Sequence, residues 1–475
     1  MNHSRKTKIV CTLGPASLKE DVLEKMLRAG MNVARFNFSH GTHEYHKEGM
    51  ELFKKVRDRL KMPAAVLLDT KGPEIRIGTF DCGKITLEKG KTFTFTTEDG
   101  VGDSERVSVS YKNLPAELKV GDRLLLDDGR LELHVENLTE TDIVCRIITG
   151  GELSSRKGIN IPNVHLNMPY VSDQDELDLR FGIEMDVDFV AASFVRSKSD
   201  VIELRKLLNY YGGHAIKIIA KIENAEGVEN FDEILANCDG IMVARGDMGV
   251  EIEFEKLPGI QKKFIRKCYQ AGKMVITATQ MLETMIHSKT PTRAEITDVA
   301  NAVFDGTSAV MLSGETAMGD HPAHVVEVMS KIVKQAESDA IEMHVYEGVR
   351  YDSDVFDMTN AICDAACTTA RDVRAKAIIA VTSSGTTARR VSKFRPTEAI
   401  VAATPTIKTY HQLALSWGVH PVLALIQDDT DRLFLHAIDC AKKLDIVSKG
   451  DKVVITAGVP LRQAGTTNLL KVQTV

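Results

Sequence analysis

Eight short apolar runs alternate with stretches of helical periodicity, and this alternation is the strongest constraint on what the chain can fold into. The runs cover residues 8–14, 32–41, 64–70, 188–195, 216–223, 240–246, 274–279 and 308–315. Near-continuous apolar strands separated by helices predict a parallel sheet that is buried on both faces, and eight such strands close into a barrel. The sequence therefore predicts an α/β protein with a (β/α)8 TIM barrel.

The first crossover has the residues expected at both ends of a helix. Ser17 and Glu20 have the spacing of a capping box, apolar residues at 22, 23, 26 and 27 keep helical spacing, and Gly30 stands where a helix would stop. Strand, helix, strand is therefore the repeating unit.

One crossover, from residue 71 to residue 170, is far too long for a single helix. Within it, residues 91–95 alternate polar and apolar side chains, and Asp128 and Gly129 separate two apolar runs as a hairpin turn does. We predict a small β-barrel domain over 71–170, inserted into a barrel domain formed by 1–70 and 171–345. Because the insert leaves the barrel at the end where active-site loops lie, we expect it to act as a lid.

A third domain is predicted over residues 346–475. A helix from about 322 to 340 and a polar linker at 351–357 precede apolar runs at 377–382, 399–403, 420–425 and 452–457. The alternation of these runs with helical stretches predicts a doubly wound α/β sheet.

Composition excludes several classes of partner. The net charge of −6, the single Trp and 5% aromatic residues provide neither a basic stripe nor a stacking surface for nucleic acid. The eight cysteines form no C-x-x-C pair, so reduced thiols are expected rather than a zinc knuckle or a disulfide framework. No apolar run is long enough to cross a membrane and no signal segment is recognisable, so we expect a cytoplasmic protein.

Polar and ionisable residues follow most of the predicted strands, at the end where a barrel carries its reactive groups. They are Arg35, Asn37, Ser39, Asp69, Thr70, Lys221, Glu223, Gly246, Asp247, Thr279, Gln280, Ser313, Gly314 and Glu315. One such residue is typical of a solvated loop or an ion pair, whereas a ring of them is not typical of a packed core. The alternation of a strand predicts that Arg35, Asn37 and Ser39 share one face.

Two carboxylates and two cations in this ring indicate the kind of substrate. Glu223 and Asp247 offer hard oxygen ligands for Mg²⁺ or Mn²⁺, and Arg35 and Lys221 offer positive charge for an anion. A phosphorylated or carboxylated substrate follows. Because the sequence has no Walker A, dinucleotide-binding or protein-kinase motif, phosphates would be held by metal, Arg and Lys instead.

Two further segments have more than one interpretation. Residues 382–387 carry five hydroxyls and one Gly between a strand and a helix, which suits either a phosphate cradle or simple helix capping. Residues 40–46 contain three His but not the H-E-x-x-H pattern of zinc enzymes, so we interpret them as a substrate loop.

Long motifs of this chain resemble the pyruvate kinase family. They are residues 8–15 (KIVCTLGP), 30–41, 68–76 (LDTKGPEIR), 241–249, 278–282 and 311–316, and the resemblance covers essentially the whole chain. It implies a barrel, a β lid and a C-terminal regulatory domain, transfer of a phosphoryl group from phosphoenolpyruvate to ADP in the last step of glycolysis, and a homotetramer. The longer C-terminal extension of some bacterial relatives is expected to be missing, because the sequence stops soon after residue 468.

The resemblance also implies roles for individual residues. Arg35 would bind the substrate phosphate, Lys221 the phosphoryl group in transit, and Glu223 with Asp247 the divalent ion. The remaining substrate positions are Gly246, Asp247 and Thr279. The K⁺ positions are Asn37, Ser39, Asp69 and Thr70. The nucleotide positions are Asn37, His40, Arg76 and Lys157. Thr279, Ser313 and Glu315 would organise proton transfer to the enolate. A Glu at position 74 resembles the K⁺-requiring members of the family. In K⁺-independent members a Lys at this place replaces the charge of the ion.

The resemblance also implies an activating sugar phosphate, with fructose 1,6-bisphosphate as first candidate. This effector would bind at Thr382, Ser383, Ser384, Gly385, Thr386 and Thr387. Two rival functions stand beside this interpretation: a lyase or aldolase that binds a pyruvate enolate with Mg²⁺ on a similar barrel, and a catalytically dead nucleotide-binding or scaffold protein. The first would not need Arg76, Lys157 or a lid. The second would not need Lys221, Glu223 and Asp247.

Overall fold

Eight parallel strands form a closed barrel in the computed structural model, which describes residues 5–346, 357–461 and 467–475. The strands are β1 (Lys8–Thr12), β2 (Val33–Asn37), β3 (Ala65–Asp69), β13 (Phe189–Ala192), β14 (Lys217–Ile222), β15 (Gly240–Ala244), β16 (Met274–Ala278) and β17 (Ala309–Leu312). Each pairs with the next one in this order, and β17 closes against β1. Every strand lies within a predicted run, so the predicted TIM barrel is confirmed.

The two-residue alternation of each strand separates the barrel interior from an outer core. In β1, Val10 belongs to the interior cluster, whereas Ile9 and Cys11 pack under the surrounding helices. Leu415 of the third domain is fully buried in the same interior cluster. Lys8, which begins β1, donates to the Val419 carbonyl at 2.7 Å. The third domain therefore closes the amino-terminal end of the barrel and leaves the carboxyl end for the candidate site.

The strands end earlier than predicted at the carboxyl end. β2 ends at Asn37, whose side-chain oxygen accepts a hydrogen bond from the Ser39 amide at 3.2 Å. Ser39 therefore lies in a turn, and the prediction that it shares a strand face with Arg35 is wrong. Asp247 and Glu315 likewise lie in the first turns of helices. Side-chain bonds to the nearby backbone compete with the strand ladder in such places.

Helices surround the barrel and cover its outer core. They are α1 (Glu20–Ala29), α2 (His43–Leu60), α4 (Asp173–Glu184), α5 (Lys198–Tyr210), α6 (Ala225–Glu229), α7 (Phe231–Asn237), α8 (Arg245–Glu251), α9 (Leu257–Gln270), α10 (Arg293–Phe304), α11 (Gly314–Ala317) and α12 (Pro322–Glu342). α1 stops at Gly30, whose φ of 125° suits glycine, as predicted. The predicted capping box is wrong, because Lys19 precedes the helix and the Ser17 hydroxyl bonds to the Gly14 backbone instead.

The insert between β3 and β13 folds as a small β domain. Its elements are β4 (Ile75–Arg76), β5 (Lys84–Leu87), β6 (Thr92–Thr96), β7 (Arg106–Ser108), α3 (Leu114–Glu117), β8 (Arg123–Leu126), β9 (Leu131–Leu138), β10 (Asp142–Thr149), β11 (Gly151–Ser154) and β12 (Gly158–Asn160). Seven of these strands form one sheet, and a bridge between Ile77 and Val109 joins its two edges. The predicted hairpin is confirmed, because β8 and β9 are antiparallel and Asp127, Asp128 and Gly129 turn between them with positive φ.

The third domain contains a five-stranded sheet. Its elements are α13 (Met358–Asp372), β18 (Ala377–Val381), α14 (Thr386–Lys393), β19 (Ala399–Thr404), α15 (Ile407–Gln412), β20 (Val419–Leu423), α16 (Thr430–Lys443), β21 (Lys452–Gly458) and β22 (Thr467–Thr474). The four parallel strands were predicted, but β22 was not, because this antiparallel edge strand has only one buried residue and lacks a continuous apolar run. The predicted linker at 351–357 lies outside the described residues except for Asp357, which caps α13.

Two expectations from composition concern the whole chain. All eight cysteines are free, and most of them are buried. Within the described ranges, no helix combines the length and the apolar character needed to span a bilayer.

Candidate active site

Four charged side chains meet at the carboxyl end of the barrel. Arg35 Nε lies 2.5 Å from Asp69 Oδ2, and Lys221 Nζ lies 3.1 Å from Asp69 Oδ1 and 2.9 Å from Glu223 Oε1. All four side chains belong to residues that are more than nine-tenths buried. Charged hydrogen bonds in such a buried site are strong and fix the direction of each group. The three strands β2, β3 and β14 therefore converge on one preorganised cluster.

The cluster keeps its central pair ionised. Burial would lower the pKa of Lys221, but Asp69 and Glu223 outweigh burial and hold the pKa above its ordinary value. Burial would likewise raise the pKa of Asp69, but Arg35 and Lys221 hold it below its usual range. Lys221 also donates to Ser193 Oγ at 2.8 Å, so three acceptors face the three hydrogens of the ammonium group.

Glu223 and Asp247 form a pair of carboxyl groups with too little positive charge around them. Burial raises the pKa of Glu223 to about 7, with Lys221 opposing the shift and Asp247 adding to it. Burial also raises the pKa of Asp247. Carboxylate oxygens are the ligands that Mg²⁺ and Mn²⁺ prefer, and such an ion would offset this repulsion, so the pair fits a divalent cation. No group of three or more His, Cys, Asp or Glu suited to a metal occurs in the described part of the chain, so water or substrate oxygens would complete the coordination.

The four residues predicted for K⁺ lie at the ends of β2 and β3. Asn37 stands opposite Asp69 in the strand register, and Ser39 follows in the turn after β2. The Thr70 carbonyl, next to Asp69, accepts from the Ser193 hydroxyl at 2.6 Å. Both carboxylate oxygens of Asp69 already accept from cationic side chains, so this residue belongs both to the K⁺ candidates and to the charged cluster.

The turn after β16 holds Thr279 in a strained backbone conformation. Thr279 and Gln280 have φ of 67° and 54°, which is costly for a β-branched residue. The Thr279 hydroxyl accepts from the Gly246 amide at 2.9 Å and donates to the Ala278 carbonyl at 2.7 Å. Arg245 also donates to the carbonyls of residues 278 and 279. The predicted substrate positions Gly246 and Thr279 are thus brought together.

Glu315 is fully buried between two turns of the rim. Its carboxylate accepts from the Ser313 amide at 2.6 Å and from the Leu282 amide at 3.2 Å. Burial raises the pKa of this carboxyl group. These contacts hold the turns after β16 and β17 in place, and Ser313 and Thr279, the hydroxyl residues of the predicted relay, lie in these two turns.

A cavity of about 370 Å³ lies between the lid and the barrel. Arg76 and Lys157 line it from the lid, and Asp247 lines it from the barrel. Each of the two cations is paired with a lid carboxylate, at 2.7 and 2.5 Å respectively, but remains about two-fifths exposed. Asn37 and His40, the other predicted nucleotide positions, are not among the described residues that line this cavity, and His40 is exposed beyond β2.

The hydroxyl loop at residues 382–387 lies in the third domain beside a second cavity of about 300 Å³. The Thr382 hydroxyl accepts from the Gly385 amide at 3.0 Å, and the hydroxyls of Ser384 and Thr386 are 2.9 Å apart. Gly385 precedes α14 with φ of 81°, and no side chain caps this helix. The Thr382 hydroxyl thus bonds to the N-cap residue of α14, so both interpretations of the loop remain compatible with its contacts.

Ser193 and Arg245 belong to the rim but carry no motif in the sequence that assigns them a role. Ser193 follows β13, and it is the single hydroxyl in the apolar run 189–195. That position, one residue after a buried barrel strand, is the sequence feature that could have identified it. Arg245 occupies the corresponding place after β15, where it pairs with Asp298 at 2.7 Å.

Comparison with known proteins gives the same family throughout the chain. Residues 4–326 match the family model described as pyruvate kinase, barrel domain, and residues 360–473 match pyruvate kinase, alpha/beta domain. The pyruvate kinase of Clostridium acetobutylicum is 47% identical over 472 residues, which are 99% of this chain and 100% of that protein. The pyruvate kinase of Staphylococcus haemolyticus is 48% identical over 99% of this chain and 80% of its own length.

A solved structure is similar over nearly the whole length as well. The crystal structure of a pyruvate kinase from Cryptosporidium parvum superposes with a TM-score of 0.92 at 39% identity, and the match covers 99% of this chain and 96% of that one. Sequence motifs, barrel geometry and both domain matches agree. The chain therefore belongs to the pyruvate kinase family of phosphotransferases.

Proposed function

We propose that the protein transfers the phosphoryl group of phosphoenolpyruvate to ADP, giving pyruvate and ATP in the last step of glycolysis. Membership of the family supports this reaction. The observation that carries it is the buried cluster of Arg35, Asp69, Lys221 and Glu223 beside Asp247. Such a cluster supplies cations for a phosphate and oxygens for a divalent ion in one place.

Lys221 and Arg35 lower the barrier by holding positive charge where negative charge develops. The transition state of phosphoryl transfer spreads charge over the equatorial oxygens, and preorganised cations stabilise that charge better than water does. Arg35 binds the phosphate of the substrate, and Lys221 meets the group in transit. Mg²⁺ or Mn²⁺ held by Glu223 and Asp247 would supply further charge neutralisation at the same oxygens.

After transfer, the enolate carbon must gain a proton. Thr279 and Ser313 stand at the ends of β16 and β17, and we assign to their hydroxyls the ordering of the proton-donating water. The Gly246 amide bonds to the Thr279 hydroxyl, and Gly246 and Asp247 would contact the enolpyruvate part. Glu315 contributes indirectly, because it fixes the amide of Ser313.

The inserted β domain is proposed to bind the nucleotide and to act as a lid. We take residues 71–170 as the lid, 1–70 with 171–345 as the catalytic barrel, and 346–475 as the regulatory domain. Arg76 and Lys157 would hold the phosphates of ADP from the lid side of the cavity. Asn37 and His40 lie outside this cavity at the end of β2, and their proposed part in nucleotide binding rests on the family resemblance alone. Closing the lid over the rim would exclude water from the transfer.

A monovalent cation completes the proposed site. Asn37, Ser39, Asp69 and Thr70 offer carboxylate, amide, hydroxyl and carbonyl oxygens within two adjacent strand ends, which suits K⁺. Its charge would add to that of Arg35 and Lys221.

Regulation is proposed at Thr382, Ser383, Ser384, Gly385, Thr386 and Thr387, where a sugar phosphate would bind, with fructose 1,6-bisphosphate as first candidate. The hydroxyls of the loop border a cavity of about 300 Å³, and this arrangement supports the site. A homotetramer in the cytoplasm is the proposed state, on the strength of family membership.

A coupled assay tests the reaction directly. Pyruvate release from phosphoenolpyruvate should require ADP and a divalent ion. Pyruvate formed from another substrate without ADP would favour a lyase or aldolase instead, and no turnover with bound nucleotide would favour a scaffold.

A further inference from the structure

Among the residues that the structure describes, Ser193 provides the uncharged side chain that bonds to the Lys221 ammonium group, and no role assigned above accounts for it. Its hydroxyl lies 2.8 Å from Lys221 Nζ, and the residue as a whole is 1% exposed. The two other partners of Lys221, Asp69 and Glu223, are carboxyl groups that direct the ammonium and also neutralise its charge. A hydroxyl gives direction without removing charge.

The Ser193 hydroxyl is itself held in one orientation. It donates to the Thr70 carbonyl at 2.6 Å, with Asp69 Oδ1 at 3.2 Å as a second acceptor, so its lone pairs face Lys221. The backbone is fixed as well, because the Ser193 amide donates to Thr70 Oγ1 at 3.1 Å and its carbonyl accepts from Tyr170 at 3.0 Å. A group with all its partners satisfied keeps its geometry when a neighbour moves.

The next residue holds the second functional side chain of β14. The Phe194 amide donates to Glu223 Oε2 at 2.7 Å, and Phe194 has φ of 53°, a strained value for an aromatic residue. Ser193 therefore contacts Lys221 and Phe194 contacts Glu223, so two consecutive residues after β13 fix two side chains at the end of the neighbouring strand β14. Strain that the surrounding structure maintains at such a place indicates a functional constraint.

Gly72 has no side chain, and this leaves room for Ser193. A Cβ at Gly72 would approach Ser193 Cβ to 2.8 Å and the Ser193 carbonyl oxygen to 2.9 Å, and its φ of 73° also favours glycine. The turn after β3 is therefore shaped around the end of β13.

We propose that Ser193 is a positioning residue for phosphoryl transfer, whose hydroxyl sets the direction of the Lys221 ammonium group. The proposal rests on the role of Lys221 given under the proposed function. Ser193 acts through Lys221 and needs no contact with the substrate. The same hydroxyl joins Lys221 to Thr70 and Asp69, so the proposed K⁺ positions and the transfer lysine share one hydrogen-bonded unit.

The test is a double-mutant cycle of Ser193→Ala and Lys221→Met, with turnover measured by the coupled assay. Loss of a hydrogen bond to a charged group predicts that Ser193→Ala lowers kcat roughly 10- to 100-fold, while the KM for phosphoenolpyruvate changes less than about 3-fold. In the Lys221→Met background, Ser193→Ala should change kcat less than about 2-fold, because its target is gone. Ser308→Ala, a buried serine whose hydroxyl accepts from Val275 at the other end of the barrel, is the matched control.

Three results would overturn the proposal, and the first two concern kcat. One is a kcat of Ser193→Ala within about 2-fold of the unmodified protein, and the other is a loss that persists undiminished in the Lys221→Met background. A changed half-saturation for K⁺ with unchanged kcat at saturating K⁺ would also overturn it, since the hydroxyl would then serve only Thr70 and Asp69. If Ser193→Ala does not fold, Ser193→Cys keeps a weak acceptor and enters the same cycle with the same criteria. Near-normal turnover of Lys221→Met alone would instead reject the proposed role of Lys221.

Discussion

At the barrel rim the groups that would meet phosphate are charged, buried and already paired, whereas in the hydroxyl loop they are neutral and lie near the surface. Arg35 and Lys221 are held by carboxylates on neighbouring strands. In the loop, Ser383 and Ser384 are exposed, and the hydroxyls of Thr382, Ser384, Thr386 and Thr387 bond to one another, to the loop backbone or to Thr467. The rim is preorganised before any ligand binds. The loop would gain its order from the ligand, which suits a site that shifts an equilibrium rather than one that performs chemistry.

Lys221→Met is expected to have the largest effect, because it removes the central charge of the rim. Loss of a preorganised electrostatic group should lower turnover roughly 10²- to 10³-fold or more. The ion pair between Arg35 and Asp69 and the hydrogen bond from the Phe194 amide to Glu223 do not involve Lys221, so the fold should remain. The coupled assay measures the loss, and exchange of the methyl protons of pyruvate with solvent should persist, since that step relies on the hydroxyl relay.

Lys217→Met is the matched control for this experiment. Lys217 begins the same strand, β14, and pairs with Asp239 at 3.0 Å at the opposite end of the barrel. It should turn over like the unmodified protein. Equal turnover of Lys221→Met and Lys217→Met would remove the distinction between the two ends of the barrel.

Ser384→Glu tests the loop. The new carboxylate at the start of α14 would repel a phosphate, while negative charge there is compatible with the helix. We expect the concentration of fructose 1,6-bisphosphate needed for half-maximal activation to rise about 10-fold or more, the size expected for losing a charged hydrogen bond. The measurement is the rate with and without the sugar phosphate at subsaturating phosphoenolpyruvate. Ser384→Gln, of the same shape and without the charge, is the control, and an unchanged response in both variants would place the effector elsewhere.

Glu74→Lys brings a fixed positive charge close to the rim. Glu74 follows the K⁺ candidates Asp69 and Thr70, lines the lid cavity with Asp247 and pairs with Arg76 at 2.7 Å. A lysine there would replace part of the charge that K⁺ supplies, so stimulation by K⁺ should fall by a few-fold relative to buffer with a bulky organic cation. Glu88→Lys, at an exposed lid position, makes the same charge change and should leave the stimulation intact. Full activity of the unmodified protein without K⁺ would contradict the basis of this prediction.

Sequence reasoning went furthest where a periodic pattern encodes the structure. The barrel strands follow from apolar runs, and the ring of polar residues follows from what lies at the strand ends. It failed where the outcome depends on contacts between distant turns. The positive φ of Thr279, the contacts of Ser193 and Phe194 with the end of β14, and the engagement of Asp69 by two cations are properties of several strands at once. No local pattern in one segment records them.

The smallest effect on turnover is expected at the contact between the two regions, where α15 of the third domain meets the barrel. Thr409 of this helix donates to the Ser383 carbonyl of the hydroxyl loop at 2.8 Å, and His411 is buried two residues later. Burial lowers the pKa of His411 to about 4, with Arg57 adding to the shift. The folded protein keeps this imidazole neutral, whereas the unfolded chain protonates it near its ordinary pKa of about 6.5. Its contribution to stability is therefore present above that pH and is lost as the pH falls toward about 4, by at most about 1.4 kcal/mol per pH unit.

Asp188, whose pKa burial raises to about 6, acts with the opposite sign, so the informative quantity is the difference in unfolding free energy between the unmodified protein and His411→Gln. Denaturant unfolding over this pH range should show that difference shrinking on acidification, and a difference independent of pH would mean that His411 is not held neutral at the joint.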